Sequence, residues 1–467
     1  MMTRRSFVAA GAGAAFWRTA AAQNFQAQYE AKTLVKRGMI PRAARPEDLE
    51  MPVSGLADYI TPAEHLFVRT HVYVPDVKLT DWKLRVEGEV SSALSLTMSD
   101  LRTLPAVEVV SVLECAGNGR SYYDPPVAGI QWTSGAVGNG RWRGVRLADV
   151  LKRAGVKAAA SHILFDGADV PLGTMADFQR TIPVKKALDP NTLLAYELNG
   201  ETLPVQHGFP LRAVVPGWAG DSWMKWVAAI LVLDKESDGW WMKNAYRHPG
   251  KPVVPGLVLP QDAMRPLESL RVKSVIATPE DHSQIEVGKT TTIRGVAWSG
   301  ESGPITNVDV SVDAGRSWRS AKLTSPATRY GWRQWELAWT PPGEGYYILM
   351  ARARDMGGDS QPLTQEWNPS GYLWNVAPRA GVEVVKQLQS AAQTAESAPP
   401  SAPPLLKSAC TVCHEEDVIR QQRLTRAQWD RELNKMAGWT PAGRQLNAGD
   451  RATILDYLAA TFGPRRP

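Results

Sequence analysis

The chain of 467 residues is 44% hydrophobic and carries a formal net charge of +6. That length allows about three domains of ordinary size, and the apolar content supports buried cores. The mild positive charge suits a site that attracts anions; with no basic–aromatic repeat or helix-turn-helix pattern it does not point to nucleic acid, and no run of about 20 apolar residues marks a membrane span.

Residues 1–22 read as an export signal. Thr3-Arg4-Arg5-Ser6-Phe7-Val8 is followed by a short Ala/Gly-rich stretch and by Ala20-Ala21-Ala22 before Gln23, the pattern of a twin-arginine leader with a small-residue cleavage site. The expected address is the periplasm. Because that route carries folded proteins, a cofactor inserted before export is expected as well. Residues 23 to about 50 are polar and show no clear period.

A first domain is expected over residues 50–262, mixing short β runs with helical patches. Val107 to Leu113 reads as a buried strand, Leu147 to Ala154 as a helix stopped by Gly155, and Ala228 to Leu233 as another strand. The stretch Glu114-Cys115-Ala116-Gly117-Asn118-Gly119-Arg120 ends a strand on a cysteine and brings an arginine back over it through a Gly-rich turn. A thiolate under a positive charge can bind a metal or act as a nucleophile, whereas a lone cysteine is usually a small buried hydrophobe. Spacing alone leaves these three readings open.

Residues 263–378 turn to β. Short apolar runs such as Thr291 to Val296, Val308 to Val312 and Tyr346 to Arg352 are separated by Gly, Pro, Asp and Ser turns, which suggests an immunoglobulin-like sandwich. Residues 379–404 form a linker whose Ala, Ser, Gln and Pro cannot build a core.

The last unit, 405–467, is expected to be small and all-α. It carries Cys410-Thr411-Val412-Cys413-His414. Two thiols at this spacing can form thioethers to both haem vinyl groups, and the histidine can reach the iron, so a c-type haem is expected on Cys410 and Cys413 with His414 as axial ligand. Zinc would need about four ligands, and no Cys or His follows His414. Met436, the only methionine after His414, is the candidate second axial ligand.

Beyond these patterns, residues 60–378 resemble the sulfite oxidase family of molybdopterin enzymes. The matches run in order: Phe67-Val68-Arg69-Thr70-His71, Cys115 to Arg120, Leu194-Ala195-Tyr196-Glu197-Leu198-Asn199-Gly200, His207-Gly208-Phe209-Pro210-Leu211-Arg212, Val215-Pro216-Gly217-Trp218, and, for the dimerisation domain, Asp309 to Trp318. Asp221 to Lys225 and Trp241 to Pro249 look most like bacterial sulfite dehydrogenases. The implied fold class is α+β: a mixed α/β molybdopterin domain, the sandwich, then the cytochrome c domain. The resemblance makes Cys115 the thiolate on molybdenum and puts His71, Asp169, His207, Arg212 and Lys225 on the pterin and its phosphate. It puts Arg69, Arg120, Trp132 and Tyr246 around the substrate.

One departure concerns specificity. In animal members a further pocket arginine follows the sandwich motif Ala297-Trp298-Ser299-Gly300, but here Glu301 stands there. Arg247 and His248 are the candidates to replace that charge. The expected protein is a homodimeric, periplasmic molybdohaem sulfite dehydrogenase passing electrons through haem c to a soluble cytochrome c. A sulfane dehydrogenase or a sulfoxide-acting enzyme is the first alternative, and a non-catalytic electron carrier is the alternative of another class.

Overall fold

The computed structural model describes residues 29–388, 404–411, 414–437 and 446–464. The expected leader at 1–22, most of the linker and Cys413 lie outside them.

The first domain is built on two five-stranded sheets. In one, Leu193–Leu198, Val137–Arg146 and Ala106–Glu114 pair antiparallel, with Glu201–Thr202 and Arg212–Val214 both on Leu193–Leu198. In the other, Val227–Leu233 runs parallel to Leu84–Gly88 and antiparallel to His162–Gly167. Helix Leu147–Ala154 follows the predicted bounds. Its apolar positions 147, 150, 151 and 154 recur at helical spacing and are buried. Gly155 ends it at φ +70°, with its N–H donating to the Leu151 and Lys152 carbonyls. Strand Ala106–Glu114 is half exposed at its start and buried over its last four residues, so it delivers Cys115 to the interior.

The domain begins earlier than residue 50. A hairpin of Ile40–Ala43 and Asp48–Glu50 packs on it, and Tyr29 joins its core. Hydropathy hides this segment because its buried anchors are acidic: Asp48 and Glu50 are 1% and 0% exposed. Glu50 is satisfied by Arg42 Nε at 2.6 Å and by the Thr133 and Gly135 amides.

The β region forms a four-stranded and a five-stranded sheet that share one apolar core, with Ile276, Ile293 and Trp335 facing Val308, Leu349 and Val382. The expected boundary at 378 is too early. Arg379–Val385 is a central strand, pairing with Gly345–Asp355 on one side and Ser283–Glu286 on the other. Pro378 and Arg379 interrupt the apolar pattern where this strand begins.

Glu114 joins the two domains. Its carboxylate accepts from Asn118 Nδ2 (2.9 Å) in the first domain and from Lys273 Nζ (2.8 Å) and Trp298 Nε1 (2.8 Å) in the second. The C-terminal unit has helices Pro404–Cys410, Asp417–Arg420, Arg426–Ala437 and Ala448–Thr461 around Leu424, Trp429, Ile454 and Leu458. No helix among the described residues is long and apolar enough to cross a membrane.

Candidate active site

Strand ends and loops of the first domain converge on a cleft with about 680 Å³ of empty space. Cys115 lies on its wall, fixed by its N–H donating to Ala136 O (2.9 Å) and its carbonyl accepting from Asn118 N (2.9 Å). Arg69 reaches the cleft from the segment paired with strand Asp48–Glu50 through Val68 and Leu49, with Nη1 held 3.2 Å from both Asp48 oxygens. His71 Nε2 lies 2.6 Å from Tyr246 Oη, and its ring stacks on Phe178 at 3.9 Å. Tyr246 has φ +51°, a left-handed conformation that a bulky residue keeps only when its surroundings enforce it. Tyr372 supplies part of that enforcement, stacked on Tyr246 at 5.4 Å.

The opposite wall is cationic. Arg212 Nη1 donates to His207 O (2.9 Å), while its buried Nε has no partner among the described residues. Lys225 Nζ donates to Thr70 Oγ1 and Gln206 O, both at 3.2 Å. His207 Nε2 faces Lys36 Nζ at 2.8 Å.

These charges are held at a cost. Burial drives His71 and His207 well below the ordinary histidine range, and nearby cations add to the drop. Burial lowers Lys225 to about 7, with Arg212 adding to the fall and Asp169 opposing it. Burial alone pulls Arg212 downward, yet a guanidinium stays protonated in proteins, so its demand is for a counter-anion. On the acidic side, burial raises Asp169 and Asp221 to about 6. Burial also raises Cys115, opposed first by the Gly117 N–H and then by Arg120 and Arg69. The donor set fits a molybdopterin: an orphaned Arg212 Nε, Lys225 and His207 for phosphate and pterin, and a thiol under two arginines for a soft-ligated metal.

Of the expected residues, Arg69, His71, Cys115, Asp169, His207, Arg212, Lys225 and Tyr246 all line this one cleft. Arg120 and Trp132 stand one layer behind it. Arg120 lies over the Tyr372 ring at 5.0 Å, with Nη1 donating to Ile130 O (3.0 Å). A Cβ on Gly117 would fall 2.6 Å from Arg120 Nη1, which explains the glycine in the turn. Trp132 is fully buried and meets Phe67 edge-on at 6.3 Å.

Arg247 does not replace the missing arginine. Its guanidinium is spent on the Met242 and Met264 carbonyls and on Glu236. His248 is likewise not a lining residue, and Glu301 pairs with Lys186 at 2.7 Å. An additional cation on the Tyr246 side of the cleft is Arg180, 1% exposed, 2.7 Å from Asp221 and 5.2 Å over the Tyr246 ring. Sequence reasoning missed Arg180, Asp48, Lys36 and Tyr372, none of which falls in a motif used for the resemblance.

In the C-terminal unit, half-buried Cys410 packs against the apolar core and His414 Nδ1 faces Glu415 O at 3.1 Å. Met436 is half-buried on helix Arg426–Ala437. The Cys410 thiol therefore borders an apolar cluster.

Residues 71–241 match the family described as oxidoreductase molybdopterin binding domain, and residues 265–384 match the Mo-co oxidoreductase dimerisation domain. The chain is 38% identical over 356 residues to human mitochondrial sulfite oxidase, covering 73% of this chain and 65% of that protein. With chicken sulfite oxidase it shares 35% identity over 352 residues, covering 72% of this chain and 76% of the relative. Among solved structures, the sulfane dehydrogenase SoxCD of Paracoccus pantotrophus superposes with a TM-score of 0.64 at 29% identity, covering 77% of this chain and 90% of that one. The chain thus spans just under two thirds of the length of the mammalian relatives.

Proposed function

The chain belongs to the sulfite oxidase family of molybdopterin oxidoreductases, and on that premise we propose that it is an exported molybdohaem sulfite dehydrogenase. The reaction is sulfite plus water to sulfate, two protons and two electrons, the electrons leaving singly through haem c to a soluble cytochrome c. The observation that carries the reading is one cleft holding Cys115, Arg69 and Tyr246 beside a buried cationic wall. When bound, the molybdenum cofactor supplies the two-electron redox and oxygen-transfer chemistry.

The chain's own residues do the rest. Arg212, Lys225 and His207 hold the cofactor's anionic end, and Cys115 holds the metal. Asp48 fixes Arg69 so that its guanidinium meets an oxyanion in one orientation, which lowers the ordering cost at the moment of reaction. His71, kept neutral by burial, locks the Tyr246 hydroxyl through their 2.6 Å contact. Arg120 acts through charge, stabilising the Cys115 thiolate. The second domain, which matches the dimerisation family over residues 265–384, is read as the homodimer interface.

A sulfane dehydrogenase activity is the second reading. The likeness to SoxCD favours it, as does a substrate side whose arginines already face carboxylates: Arg69 with Asp48 and Arg180 with Asp221. Parallel assays with sulfite and thiosulfate separate the two. Replacing Cys115→Ser should abolish sulfite oxidation and leave the haem spectrum intact; full activity in that variant would overturn the assignment. Protein that takes up no molybdenum in a competent host would favour a mere electron carrier.

A further inference from the structure

The C-terminal unit is seated on the first domain of its own chain, and the seat is specific. Gln421 Oε1 accepts from the Gln131 N–H (2.8 Å) while its Nε2 donates to Arg42 O (2.6 Å). Gln422 Oε1 accepts from the Gly129 N–H (3.2 Å) while its Nε2 donates to Gly129 O (2.9 Å). Each glutamine amide therefore spends both ends on main-chain groups of the partner surface, a pairing that a shorter or charged side chain cannot reproduce. Apolar contacts interlock around it: Ala128 packs into the C-terminal core and Val418 against the core of the first domain.

The same seat holds the haem-binding motif against the hairpin of residues 40–50. Arg45 Nη2 donates to Thr411 O (3.2 Å), the Glu415 N–H donates to Arg45 O (3.1 Å), and the two side chains pair at 3.2 Å. Thr411 and Glu415 flank the Cys-His end of the motif. Three residues beyond Arg45, Asp48 grips Arg69 on the cleft wall. One chain of covalent and hydrogen bonds between motif and cleft runs through Glu415, Arg45, the main chain to Asp48, and Arg69.

We propose that this surface is the in-cis docking site from which electrons leave the catalytic cleft, with the Gln421–Gln422 pair as its clasp and the 45–48 segment as its bridge. The inference rests on the function proposed above. One electron passes at a time and no atom is transferred: two passages follow each substrate oxidised, and the soluble cytochrome reoxidises the haem between them. Because the clasp is made of neutral amides and the bridge adds one exposed ion pair, docking is expected to withstand salt better than a charge-steered encounter does.

The test uses the full chain carrying both cofactors. In a Gln421→Ala/Gln422→Ala variant, hydrogen exchange read by mass spectrometry over residues 126–131 should quicken at least about tenfold, because the Gly129 and Gln131 amides each lose their acceptor. Flash-photolysis transfer between haem and molybdenum should slow at least comparably, with both cofactors still present at wild-type occupancy. A second pair guards against misfolding: Arg45→Glu should slow the transfer and Arg45→Glu/Glu415→Arg should restore it. Unchanged exchange over 126–131 would overturn the docking surface. Faster exchange with unchanged transfer would overturn its role in electron exit. Exchange protection in wild-type protein that shows no haem band would leave the seat standing and sink the electron-transfer reading instead.

Discussion

Replacing Glu114 by Gln should loosen the joint on which Cys115 is mounted. The carboxylate is 5% exposed and takes three donors, one of them the charged Lys273 Nζ, itself on a residue 4% exposed. Glutamine keeps the shape but leaves the lysine's charge uncompensated, with Asn118 O at 3.0 Å as its remaining acceptor. Breaking a buried pair in this way costs about 3–5 kcal/mol. At about 2–4 °C per kcal/mol for a unit of 150–250 residues, the first unfolding transition should fall by about 6–20 °C. Scanning calorimetry of the wild type, Glu114→Gln, Lys273→Met and the double variant supplies the cycle. The double variant should be destabilised by less than the sum of the singles, because it strands no charge. A shift below about 1 °C, or strict additivity, would refute the coupling.

Arg212→Met should lower molybdenum occupancy in purified protein, measured by elemental analysis; wild-type occupancy would remove this arginine from the cofactor site. Tyr246→Phe loses the bond to His71 and should reduce kcat/KM about 10–100-fold with molybdenum content unchanged; an unchanged kcat/KM would contradict its placement at the substrate. In cofactor-free protein, Lys225 and Lys36 sit near 7 when folded against 10.5 when unfolded. Between those values the unfolded chain binds protons that the folded chain does not, so stability rises with pH there and is lowest below about pH 7. Denaturation midpoints measured from about pH 6.5 to 9 should rise, and Lys225→Met/Lys36→Met should flatten the slope. An equal slope in that variant would refute the lysines as its source.

What was legible in the sequence follows from where its information is local. Helix Leu147–Ala154 and strand Ala106–Glu114 were readable because apolar spacing and a stopping glycine are short-range signals. The convergence of Arg69, His71, Cys115, Arg212, Lys225 and Tyr246 came through resemblance, since no period relates residues so far apart in the chain. The hairpin of residues 40–50 was hidden because its buried anchors are carboxylates, and a buried Asp or Glu looks like a surface residue until its partner is known. Arg180 was hidden for the matching reason: Asp221, 41 positions away, makes its burial tolerable. Arg120 shows the limit of a motif. Its position in the turn was legible, but Tyr372, from a distant segment, separates it from Tyr246.

One measurement tests the cleft and the haem motif together. Sulfite added without oxygen to protein carrying molybdenum and haem should reduce the haem, seen as growth of its ferrous visible bands, and should fail to do so in the Cys115→Ser variant. Fully molybdenum-loaded protein whose haem stays oxidised under sulfite would contradict the account.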